Sequence, residues 1–174
     1  GILTMLVLYL LANGLATSDR TILLLSGFAA TYLIYILSHQ AFLETHIIPG
    51  SLFASRILSI LASNLIFGWW LLFCDSYLRV REHRQRLSKV VRAVAGFCIL
   101  FAIAAALGVF VDARILRRLT PIVGISSLML GVIVALTMTR YEARRVLLFL
   151  LCWSLGLAAG ILRMAHDIIP ALGA

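Results

Sequence analysis

Residues 57–92 read ILSILASNLIFGWWLLFCDSYLRVREHRQRLSKVVR. Eighteen residues without a formal charge, 57–74, are followed by eighteen that carry six basic and two acidic side chains. A helix rises 1.5 Å per residue, so about 20 residues match a hydrocarbon core about 30 Å thick, and a helix satisfies each backbone polar group where no water is available. The stretch therefore predicts a transmembrane helix that ends on a basic, water-facing connection.

The same alternation runs outward in both directions. Neutral intervals of 18 residues precede Asp19 and separate Arg20 from His39, and intervals of 19, 21 and 17 residues lie between Arg92 and Asp112, Arg118 and Arg140, and Arg145 and Arg163. The spans fall at residues 2–17, 21–38, 57–73, 93–111, 121–139 and 146–162. The fold class is an all-α integral membrane bundle of about six helices in a single domain, residues 1–174. Composition agrees: with 63% hydrophobic and 13% charged residues and a mean hydropathy of +1.07, a chain of 174 residues cannot cover its apolar surface in water.

Lys and Arg are retained on the cytoplasmic side of a membrane, so the connections can be sorted by charge. Those around residues 19–20, 75–92 and 140–145 hold ten basic residues, whereas those around 39–56, 112–118 and 163 hold five. The first set is expected inside, which places the N-terminus outside. The largest inner cluster is Arg79, Arg81, Arg84, Arg86, Lys89 and Arg92, and Tyr77, Leu78, Val80 and Leu87 within it suggest helices that project beyond the bilayer. Its simpler role is orientation and attraction to anionic head groups. The net charge of +8 is accounted for by these short loops, so no nucleic-acid partner is expected.

Ser18 or Asp19 is placed to cap the second helix. Gly156-x-x-x-Gly160 is a small-residue pair of the kind that lets helices approach in lipid, with Ala102/Ala106, Ala104/Gly108 and Ser59/Ser63 as looser examples. Packing within the bundle is the simpler reading, and a homodimer through one such face is the alternative. Trp69, Trp70 and Trp153 read as an interfacial aromatic belt, and Cys74, Cys98 and Cys152 as buried small apolar groups.

The sequence contains no H-E-x-x-H, G-x-S-x-G or Walker motif, and no cofactor is expected. Asn64 is the most polar residue deep in a span and reads as interhelical glue before it reads as an ion site. His39, Glu44, His46, His166 and Asp167 fall on the expected outer side, where they form a candidate metal or proton-sensing cluster; ordinary interfacial polar residues are the simpler reading.

Several groups of residues occur in a familiar order: Gly1, Leu8-Tyr9 and Asp19-Arg20; the run Phe73-Cys74-Asp75-Ser76-Tyr77-Leu78; and Arg140-Tyr141-Glu142-Ala143-Arg144 ahead of Phe149, Trp153 and Ile169-Pro170. In this order and spacing the chain resembles the seven-transmembrane module of bacterial receptors with diverse intracellular signalling modules, the 7TMR-DISM family. The resemblance implies an inner-membrane protein with a periplasmic sensor before Gly1, a seventh span after Pro170, and a cytoplasmic histidine kinase, diguanylate cyclase or phosphatase beyond it. The chain, which opens on Gly1 and ends at Ala174, is then expected to be a truncated seven-helix module without catalytic machinery of its own. The competing readings are a small transporter or channel with a pathway through Asn64, Ser126, Ser127 and Thr137, an integral-membrane enzyme, and a receptor for a lipid or small hydrophobic ligand.

Overall fold

A computed structural model describes the backbone of residues 2–39, 52–107 and 113–172, and the side chains of residues 4–38, 57–107 and 119–154. These residues form α1 (Ile2–Thr17), α2 (Arg20–His39), α3 (Leu52–Tyr77), the single-turn α4 (Val80–His83), α5 (Gln85–Ala106) and α6 (Ala113–Leu172). By length and composition Arg20–Ser38, Ile57–Tyr77, Gln85–Ala106 and Leu119–Ser154 can each cross a membrane, and Thr4–Thr17 is a shorter apolar helix.

Within α6, Glu142 leaves helical geometry (φ −134°, ψ 49°) and divides the element into a first limb, 113–141, and a second, 143–172. The limbs lie side by side. Phe149 stacks on Trp70 with ring centroids 6.3 Å apart, and Gly131 also meets the Trp70 ring. Eighteen residues of straight helix would separate Gly131 from Phe149 by about 27 Å. The expected loop at 140–145 is thus a reversal at one residue.

Most of the connection expected at 75–92 is helical, in line with the apolar Tyr77, Leu78, Val80 and Leu87 within it. Helix α3 continues to Tyr77 and α5 begins at Gln85, so the chain turns within Leu78–Arg84. Arg79 adopts the left-handed conformation (φ 49°, ψ 40°) that starts this turn, and Leu78 and Val80 on either side are fully buried. These apolar residues seat the turn against the bundle, which is why basic neighbours do not pull it into solvent. At the other tight connection Ser18 is left-handed (φ 53°), and the Asp19 carboxylate accepts the Thr21 N–H at 2.7 Å, capping α2.

Helix α3 is central and packs against α2, α4, α5 and α6, while α1 touches α2 alone among the described elements. The buried faces are rich in small side chains: Ala62, Cys74, Ala95, Cys98, Ala102, Ala105, Ser127 and Ala135. Large aliphatic groups such as Leu100, Ile125, Met129, Leu136 and Leu147 face outward. In water that partition would be costly. In lipid it is favourable, because acyl chains solvate the large groups while small ones allow close helix contact. Cys152, expected to be buried, is exposed.

Among the described residues, two glycines of α6 make especially close contacts across helices. Gly156 and Gly160 lie on α6 beyond the described side chains. A Cβ on Gly131 would stand 1.8 Å from the Trp70 ring, and one on Gly124 would stand 2.6 Å from Phe67. Two glycines seven residues apart on one face thus receive two aromatic rings from α3.

Candidate functional site

Three connections meet at one end of the bundle: the α1–α2 turn, the α3–α4–α5 turn and the break in α6. Thr21 at the start of α2 shares a 2.7 Å hydroxyl hydrogen bond with Ser76 at the end of α3. The Arg145 guanidinium donates to the Tyr77 carbonyl at 3.2 Å, tying the second limb of α6 to α3. His83 Nε2 lies 3.8 Å from Glu142 Oε1, its ring stacks on Tyr141 at 4.9 Å, and the Arg84 guanidinium lies 5.9 Å over the same tyrosine. The three connections grouped by their basic residues therefore come together.

Most charge at this tip is solvated. Arg81, Arg84, Arg86, Lys89, Arg140 and Arg144 are exposed, and the Arg79–Glu82 pair at 3.7 Å is exposed on both sides, so it contributes little. Asp75 and Arg92 differ. The Asp75 side chain is 3% exposed and accepts a 2.6 Å hydrogen bond from Arg92 Nε, and its Oδ1 has no partner among the described residues. Sequence reasoning assigned both to a loop. The signal available was the position of Asp75 directly after the apolar run ending at Cys74.

Beside the tip, α2, α3 and both limbs of α6 enclose a cavity of about 630 Å³ with almost entirely apolar walls. Phe28 comes from α2, Trp70, Phe73 and Tyr77 from α3, and Phe149 and Trp153 from the second limb. Trp70 is 3% exposed and meets Trp153 edge-on at 4.8 Å; Phe28 meets Trp153 edge-on at 6.1 Å. These are favourable aromatic geometries. Trp70 and Trp153 are cavity walls, and Trp69 packs over Gly27, so all three tryptophans take part in interhelical packing. Trp70, Phe73 and Tyr77 recur at i, i+3 and i+7, a visible signal that lacked only its facing elements.

Asn64 is fully buried. Its Nδ2 donates to the Ile60 carbonyl at 2.9 Å, reaches Thr120 Oγ1 at 3.5 Å, and leaves Oδ1 without a partner among the described residues. Ser127 is buried against Cys98 (Oγ to Sγ 3.4 Å), whereas Ser126 and Thr137 face outward. These four polar residues do not form one pathway. The side chains of His39, Glu44, His46, His166 and Asp167 lie outside the described residues, and among the described residues no cluster of three His, Cys, Asp or Glu could hold a metal ion.

The model of a family described as 7TM diverse intracellular signalling matches residues 1–172. No curated protein and no solved structure matches the chain. The chain belongs to that family and is a transmembrane signalling module.

Proposed function

From membership in that family we propose that the chain is the signal-relay module of a bacterial inner-membrane sensory receptor. It couples a periplasmic sensor domain to a cytoplasmic output domain of the histidine kinase, diguanylate cyclase or phosphatase type. The observation that carries this reading is the meeting of the α3–α4–α5 turn with the break in α6 through Arg145–Tyr77 and His83–Glu142. A shift of either α6 limb is thereby felt by the basic turn. The basic-residue count assigns this end to the cytoplasm, where an output domain would read it. Coupling of this kind requires two helix arrangements whose balance the sensor biases.

The test uses the full-length protein in sealed vesicles. A cysteine introduced at exposed Arg81 should react with a membrane-impermeant maleimide in inside-out vesicles and not in right-side-out ones. The double variant His83→Ala, Glu142→Ala should change basal output activity at unchanged protein level. Labelling from the opposite face, or selective solute flux in proteoliposomes with unaltered output, would overturn the relay in favour of a transporter.

A further inference from the structure

The aromatic cavity lies beside the basic tip, and the two are aligned along the same helices. On the second limb of α6, Arg144, Leu148 and Cys152 share one face at i, i+4 and i+8, and Arg145, Phe149 and Trp153 repeat the spacing one residue on. Leu148, Cys152, Phe149 and Trp153 all line the cavity. Helical side chains lean toward the N-terminus, so Arg144 and Arg145 project from the cavity toward the tip. On α3 the lining runs from Ile66 to Tyr77, and the Tyr77 carbonyl accepts the Arg145 guanidinium. Eleven residues of helix are roughly 16 Å, about half the hydrocarbon thickness of a bilayer. Arg144 is exposed and has no hydrogen-bond or ion-pair partner among the described residues.

We propose that this cavity binds one acyl chain of an anionic membrane phospholipid, with the head group held at the tip by Arg144 and Arg145. An apolar slot about one leaflet deep, closed by aromatic walls and ending beside an unpaired arginine, matches such a lipid in length, polarity and charge. The volume of about 630 Å³ lies within the range of small-molecule sites. Tyr32, 42% exposed, and Leu148, 48% exposed, place the opening on the lipid-facing surface, so the chain enters laterally from its own leaflet. Occupancy fills the space between Trp70 of α3 and Trp153 of the second limb, and so bears on how those elements pack.

The full-length protein is reconstituted in phosphatidylcholine vesicles containing a trace of phosphatidylglycerol or phosphatidylcholine with a diazirine on one acyl chain, and irradiated adducts are mapped by peptide mass spectrometry. With the phosphatidylglycerol probe, adducts at residues 25–32 and 148–153 should exceed those on the outward Met129, Ile133 and Leu136 several-fold. Arg144→Gln should lower the cavity adducts about fivefold, the effect of one basic residue on an anionic head group. Equal labelling of cavity and outer face would show bulk lipid and overturn the proposal, as would equal labelling by the two probes. Absence of cavity adducts would mean that protein fills the space, and would overturn it too. The readout is binding itself and is independent of whether the module relays a signal.

Discussion

Arg92 Nε lies 2.6 Å from Asp75 Oδ2, joining the second turn of α5 to the last turn of α3 across a connection of seven residues. The pair is unequal in burial, Arg92 being 34% exposed and Asp75 3%. That asymmetry sets what each loss costs.

Arg92→Ala strands a buried carboxylate whose second oxygen already lacks a partner, and should cost about 3 kcal/mol. Asp75→Asn leaves a guanidinium that can turn to water, and should cost about 1 kcal/mol. Thermal unfolding in detergent should therefore rank wild type above Asp75→Asn and Asp75→Asn above Arg92→Ala; the reverse order would mean that Asp75 is not buried.

Gly131→Ala places a methyl 1.8 Å from the Trp70 ring, whereas a Cβ on Gly96 meets nothing within 4 Å. The first should destabilise by about 1–3 kcal/mol through overpacking. The second should stabilise by about 0.5–1 kcal/mol, because glycine in a helix interior loses more chain entropy than alanine. Opposite shifts of the melting temperature check both at once.

Asn64→Leu removes a buried amide oxygen without a partner among the described residues and keeps the number and branching of the side-chain heavy atoms. The melting temperature should hold or rise, since an apolar replacement relieves an unsatisfied acceptor. A drop of several degrees would instead reveal a hydrogen bond that Asn64 needs.

Arg145→Ala removes the guanidinium that donates to the Tyr77 carbonyl, a charge-assisted bond worth about 1 kcal/mol when half exposed. Because the bond joins two helix ends at the tip, the change should be local. Hydrogen exchange should speed up around residues 140–145 and 77–84 and stay unchanged in the middle of α3; uniform acceleration would show that the tip unfolds only with the whole bundle.

The tip was half legible before the structure. The charge clusters at 19–20, 75–92 and 140–145 grouped the connections correctly, because like-charged loops gather on one side of a membrane whatever their packing. Arg92 looked like one more member of its cluster. It is set apart by Asp75, which lies seventeen residues away in sequence and comes close only when α3 and α5 fold back on each other. Close approach at glycine was legible only in part for a related reason. At Gly124 and Gly131 it depends on the rings of Phe67 and Trp70 opposite them, which spacing along one helix does not reveal.

By itself the sequence determined that this protein is a bundle of apolar helices and that its connections at 19–20, 75–92 and 140–145 belong together. Both follow from transfer free energies, which sum along the chain residue by residue. Only the tertiary structure decided that Asp75 is buried, that α6 doubles back at Glu142, and that aromatic side chains from three helices surround one cavity beside an exposed arginine. These depend on contacts between residues far apart in sequence. Their energies arise from close packing and paired charge in three dimensions, and no local period in the chain encodes them.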